Sequence, residues 1–174
     1  MSKAFTKEDD GAVEPPVVAA RALLPAGVPN YVTARGLRAL RDELAALADG
    51  ASDGARPRPI TSEGGEASRR AAEAIELRRR DLDARIASAV LVDRPADVDG
   101  AGEVRFGARV QVRFASGIDR RYQIVGVDEA NAAAGLIAFV SPMARALLGR
   151  RVGDTITVRT PGGEEDVELM DVSF

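Results

Sequence analysis

The stretch SPMARALLGRRVGD, residues 141–154, followed by RTPGGE at 159–164, decides how this chain is read. Ser141 before Pro142 predicts a helix start, with a hydroxyl to cap free N–H groups and a proline at the first helical position. Met143, Leu147 and Leu148 then fall on one side, so a short helix over Pro142–Leu148 turns them inward. Gly149 suits a helix C-cap, and Gly153-Asp154 a turn. Ile156 and Val158 alternate as in a strand. Pro161-Gly162-Gly163 is a tight turn, and Val167, Leu169 and Val172 mark the strand that returns from it.

Upstream of this stretch the pattern also has period two. Val104/Phe106 and Val110/Val112/Phe114 alternate, Ser116-Gly117 turns the chain, and Tyr122, Ile124 and Val125 open another strand. Leu136–Val140 is a short apolar run after the loop Asp128–Gly135. Short strands with one helix predict a compact antiparallel α+β domain over residues 103–174. The adjacent carboxylates Asp128 and Glu129 are expected in a solvated loop rather than a metal site.

The first half of the chain is different. Residues 1–28 are polar, then rich in Val, Ala and Pro, and are expected to form a disordered arm. Thr33 has the form of an N-cap. Leu37, Leu40, Leu44 and Leu47 follow at the spacing of a coiled-coil seam, predicting a helix from Ala34 to about Asp49. The segment DGASDGARPRP at 49–59 reads as a break. A second helix begins near Glu66, with Ala71, Ile75, Leu82, Ile86 and Val90 on one face. Arg69, Arg70, Arg78, Arg79, Arg80, Asp81, Asp83 and Arg85 lie opposite. Two narrow seams predict an antiparallel hairpin over 29–94, with its tip near 62–66 at Gly64-Gly65. Residues 95–102 form a linker.

Composition removes several chemistries. The 174 residues contain no Cys and no His, so thiolate chemistry and the commonest general base are excluded. Asp and Glu remain, and they favour hard ions such as Mg²⁺. A net charge of −3 argues against a general nucleic-acid binder, although the charges are clustered. No apolar run reaches the roughly 20 residues of a membrane span. The stretch MSKAFTKEDDGAVEPP lacks the apolar core of a signal peptide, so a cytoplasmic protein is expected, with no membrane partner.

The 141–154 and 159–164 segments resemble the C-terminal domain of the bacterial Gre transcript-cleavage factors (GreA/GreB), the GreB branch most of all. NYVTARGLRALRDELAAL at 30–47 resembles the family's first coiled-coil helix, and RDLDARI at 80–86 its return helix. RYQIVG at 121–126 with Asp128-Glu129 resembles the start of the domain core. The resemblance implies an N-terminal antiparallel coiled-coil hairpin and an FKBP-like β domain with one short helix and no isomerase activity. It implies RNA polymerase as partner, with the β domain on the rim of the secondary channel and the coiled coil in the pore. The protein would act as a monomer and as an accessory factor rather than an enzyme, with no cofactor of its own. Two acidic tip residues would help the polymerase hold a second Mg²⁺ while its own active centre cleaves backtracked RNA.

The tip is atypical. The family pattern is Gly-Asp-x-Ser-Glu-Asn, and ungapped matching from either side places its acids on Ala67/Arg70 or on Gly65/Ser68. A shifted match, with SEGGEA at 62–67, recovers two carboxylates, Glu63 and Glu66, and replaces the family Asn by Ala67. These two are the candidate assisting and Mg²⁺-holding residues. The competing reading makes Glu63 a solubilising residue and Glu66 a first-turn acid facing the helix dipole. Arg69, Arg70, Arg78 and Arg79 form the candidate face for the RNA 3′ end, against a solvated face paired with neighbouring acids. Ser141, Pro142 and Met143 are the candidate polymerase-docking residues, although Val140 stands where the GreB branch often has an acid. A non-cleaving regulator that occupies the channel is the alternative function. A peptidyl-prolyl isomerase is a remote one, since few aromatics are available for an apolar pocket.

Overall fold

The computed structural model describes residues 24–53, 62–92, 102–160 and 163–174, with backbone alone at 49–53, 62–68 and 160. The elements run β1 (Asn30–Val32), α1 (Ala34–Asp53), α2 (Ser62–Ser88), β2 (Ala89–Leu91), β3 (Arg109–Phe114) and β4 (Asp119–Val125). They continue with β5 (Leu136–Ala138), α3 (Pro142–Leu147), β6 (Thr155–Thr160) and β7 (Gly163–Ser173). The result is a mixed α/β fold. A five-stranded sheet has the order β5-β4-β3-β7-β6, and a separate two-stranded sheet pairs β1 with β2.

The alternation seen in the sequence builds the core of the larger sheet. Val110 and Val112 of β3, Ile124 of β4, Ile156 and Val158 of β6, and Val167 and Leu169 of β7 all point to one side. Ala144 and Leu147 of α3 close that side from above, and each is fully buried. Burial of such a Val or Leu side chain contributes about 1.5–3 kcal/mol. The pairing of β3 with β7 shifts register between Gln111 and Val112, so Met170 is an extra residue on β7. A bulge of this kind increases local twist.

Several expectations are corrected here. Val104 and Phe106 do not lie in a strand. The Val104 N–H donates to Arg150 O and its carbonyl accepts from Gly149 N, both at 2.8 Å, which ties this segment to the end of α3. Gly107, at φ +88°, then turns the chain before β3. The sheet is not wholly antiparallel, because β5 runs parallel to β4. Two short 3₁₀ turns, Val127–Glu129 and Ala132–Ala134, bring the chain back to start β5 in that direction.

The N-terminal half differs in its boundaries. Helix α1 continues to Asp53. A lone Gly50 costs a helix only about 1 kcal/mol, too little to stop one already started. Helix α2 begins at Ser62, so Gly64 and Gly65 lie in its first turn rather than in the hairpin tip. The link between the helices spans 54–61, outside the described residues, as do residues 1–23 of the expected arm and nearly all of the 95–102 linker. Val90 is not on the α2 seam. The helix ends at Ser88, and Val90 pairs with Tyr31 in the β1–β2 sheet, 45% exposed.

Candidate functional site

Thr33 caps α1 as its sequence position implies. Its hydroxyl accepts from the Gly36 N–H at 3.0 Å. Helix α1 has no acidic residue in its first turn. Glu129, in the 3₁₀ turn after β4, supplies that charge. One carboxylate oxygen, Oε1, accepts from the Thr33 N–H at 3.0 Å and from the Gly126 N–H at 3.4 Å. The other, Oε2, accepts from the Thr33 hydroxyl at 2.5 Å and lies 3.8 Å from the Arg35 guanidinium. A negative charge at this end of a helix is stabilised by its dipole.

The neighbouring Asp128 reaches the other helix. Its Oδ1 meets Arg85 Nη1 at 2.8 Å, and Arg85 Nε also donates to Asp81 at 3.3 Å. Asp128 is 2% and Arg85 13% exposed at the side chain. Burial alone would lower the Arg85 pKa. The Asp128 charge and hydrogen bond, with those of Asp81, outweigh it and hold the guanidinium above its ordinary value. Asn30 Nδ2 donates to the Arg85 carbonyl at 3.0 Å, beside the Ser88 hydroxyl, which donates to the same oxygen at 3.2 Å, and so ties β1 to the end of α2. Tyr31, Phe106 and Phe139 pack edge-on and tilted at centroid separations of 5.4–5.9 Å, so β1 also adheres to the β domain through rings.

The expectation that Asp128 and Glu129 are solvated is therefore wrong: both are buried and both hold helices. Their position directly after the buried run Ile124–Val127 was the available signal, since a loop that follows a core strand without polar spacing stays close to the core.

The predicted basic face divides. Arg69, Arg70 and Arg79 are exposed. Arg79 stands 4.0 Å from Asp83 and Arg80 3.2 Å from Glu76, the i,i+4 pairs of a solvated helix face. Arg78 turns instead to α1, where Nε donates to Glu43 Oε1 at 2.8 Å and Nη2 at 2.5 Å. It is thus an inter-helix tie. The contacts Asn30–Arg85 and Glu43–Arg78 run in opposite order along the two segments, so α1 and α2 are antiparallel. Their shared interior is closed at Leu40 and Leu82, which are 2% and 0% exposed, and opens toward Ile75, at 41%. Glu63 and Glu66 lie three residues apart near the start of α2, and their side chains are outside the described residues.

At α3 the Ser141 hydroxyl accepts from the Ala144 N–H at 3.2 Å, with Pro142 in the first turn. Pro142 is exposed, whereas Ser141 and Met143 are half-buried and Met143 packs on the core. Among the described residues no group of three or more acidic side chains could hold a metal ion. No described helix is long and apolar enough to cross a membrane.

Residues 99–174 match the family described as transcription elongation factor GreA/GreB, C-terminal. Over 157 residues the chain is 39% identical to the transcription elongation factor GreA of Alkalilimnicola ehrlichii, covering 82% of this chain and 96% of the relative. It is 34% identical to the transcription elongation factor GreB of Neisseria meningitidis over 159 residues, covering 83% and 94% respectively. The crystal structure of the Gre factor homologue Gfh1 of Thermus thermophilus covers 84% of this chain and all of its own at 26% identity, with a TM-score of 0.39. The long relationships to GreA and GreB run through both the helical half and the β domain, and on them the chain belongs to the GreA/GreB family of transcription elongation factors.

Proposed function

We propose that this protein is a monomeric cytoplasmic elongation factor that binds RNA polymerase at the rim of its secondary channel and acts on backtracked complexes. In this reading the β domain is an FKBP-like docking module, and Pro142, with Ser141 and Met143 behind it, meets the rim. The α1/α2 pair is a coiled coil that enters the pore with the start of α2 leading. Arg69, Arg70 and Arg79 face the displaced RNA 3′ end, and phosphate attraction is the physical reason. Arg78 leaves this set because Glu43 already engages it. The observation that carries the reading is the pair of long relationships to GreA and GreB, which span helices and sheet together.

Glu63 and Glu66 fit the role of partial Mg²⁺ ligands. They stand three residues apart near the start of α2, the spacing of neighbouring helix positions, and two carboxylates supply fewer than the six oxygens Mg²⁺ takes. The remainder would come from the polymerase. The ion supplies activation of water and stabilisation of the attacked phosphate. This chain supplies carboxylates at the end of a helix and holds that helix in place.

The test is polymerase stalled in a backtracked complex, with wild-type protein and with Glu63→Ala/Glu66→Ala. Mg²⁺-dependent shortening of the RNA that disappears in the double variant is the expected result. Cleavage unaffected by the double variant would remove Glu63 and Glu66 from the mechanism. Binding without cleavage by the wild type would favour a regulator that only occupies the channel. Ala67, where the family tip has Asn, favours that second reading. An isomerase is disfavoured because a cavity along β3 and β4 mixes Arg109, Gln111, Arg121 and Asp171 with Tyr122 and Leu136 instead of being uniformly apolar.

A further inference from the structure

We infer that Asp128 and Glu129 are positioning residues that set the angle at which the α1/α2 pair leaves the β domain. The inference rests on the reading that the start of α2 acts inside the polymerase. One 3₁₀ turn of three residues, Val127–Glu129, touches both helices at the same end of the pair. Glu129 holds the first residues of α1 through Thr33, and Asp128 holds the last turns of α2 through Arg85. A single contact would leave a pivot. Two contacts from adjacent residues to two different helices reduce that pivot to a hinge, which the packing of Tyr31 on Phe106 and Phe139 opposes.

The local packing is built around these two carboxylates. A Cβ on Gly36 would lie 2.1 Å from Glu129 Cδ, and one on Gly126 would lie 2.6 Å from the Tyr31 carbonyl oxygen. Both approaches need glycine, although neither backbone has positive φ. Neither carboxylate, nor Thr33 or Arg85, belongs to the apolar core of the β domain. A buried ion pair is often no more stabilising than apolar packing of the same volume. What this arrangement adds is direction.

Direction matters because α2 is a lever. At 1.5 Å per residue, Glu63 lies about 33 Å along the helix from Arg85. A swing of about 10° at the joint therefore moves Glu63 by about 6 Å, while a misplacement of about 1 Å can cost a reaction about a hundredfold. The joint can thus control the action at the tip without touching polymerase, RNA or metal.

The absence of cysteine makes the test direct. Spin labels at Ala72→Cys on α2 and Thr157→Cys on β6 report the angle as a distance distribution in the free full-length protein. The expected result is one narrow distribution with Asp128 and Glu129 intact. Asp128→Asn and Glu129→Gln should each broaden it or shift it by several ångströms. Without the labels, both variants should bind polymerase within about threefold of wild type yet lose at least tenfold in RNA shortening, or in inhibition if the protein only occupies the channel. Should either variant unfold, Gly36→Ala displaces the Glu129 carboxylate with its charge retained and should give the same broadening. A distribution unchanged in every folded variant would overturn the inference. Failure of the wild type to bind polymerase would overturn the proposed function alone, since the distance measurement does not involve polymerase.

Discussion

The Glu129 carboxylate caps the first turn of α1 from 96 positions away, taking both the N–H and the hydroxyl of Thr33. The helix carries no acid of its own in that turn, so the tertiary fold completes a cap that the local sequence only half provides. Glu129→Ala leaves a half-buried hydroxyl and N–H with one partner fewer, at a cost of about 1–3 kcal/mol. Urea unfolding should show this loss. Glu129→Gln, which keeps an acceptor oxygen, should lose less.

The two glycines of the joint should differ in sensitivity. Alanine at Gly36 meets the end of the Glu129 side chain, which can move. Alanine at Gly126 meets the Tyr31 backbone oxygen, which can move only with β1. Overpacking of this kind costs about 1–3 kcal/mol. Gly126→Ala should fall at the upper end and Gly36→Ala at the lower, with the thermal midpoints in that order. The reverse order would mean that the joint yields at the backbone first.

Arg78 and Arg79 are neighbours with different work. Arg78→Ala removes the tie to Glu43 and should destabilise the helix pair by about 1 kcal/mol or less, because the pair is partly exposed. Arg79→Ala should leave the unfolding midpoint within about 0.5 kcal/mol of wild type and weaken crosslinking to the RNA 3′ end in a backtracked complex. If Arg78→Ala reduced crosslinking at full stability, Arg78 would belong to the RNA face after all.

At the β3–β4 hairpin, Arg113 Nε and Nη2 donate to the two oxygens of Asp119 at 2.8 and 3.0 Å. The Arg113 hydrogen bond, opposed by slight desolvation and aided by the Arg113 charge, holds the Asp119 pKa below the ordinary aspartate value. A carboxyl depressed on folding contributes stability above its unfolded pKa, and loses that contribution as pH falls through the folded value. Titration followed by NMR should place Asp119 below 3.8, its ordinary value, and Arg113→Ala should raise it toward that value. Both side chains are well exposed, so the hairpin should be preserved in the variant.

Local rules carried much of this fold. Alternation from Val110 to Val172 was enough to place four of the five strands of the large sheet, because one buried face forces period two. Ser141-Pro142 and Thr33 announced their helices by capping chemistry, which acts within four residues. Leu40 and Leu82 were legible as the seam because a helix buries one stripe. The same rules misplaced the helix ends near 53 and 62. Glycine weakens a helix without forbidding it, and whether the helix continues depends on how its earlier turns are packed. β1 and β2 escaped notice because three residues carry no usable period, and their partner strand is distant in the sequence.

For function, the sequence by itself determined the family, through segments whose residues recur together at fixed spacing, and it nominated Glu63, Glu66 and the arginines of α2. Only the tertiary structure decided the roles of Asp128, Glu129, Arg85 and Arg78. A carboxylate or guanidinium has the same local signature whether it faces water or a partner. Burial and a partner 35 to 96 residues away turn these four into ties, and neither can be read along the chain.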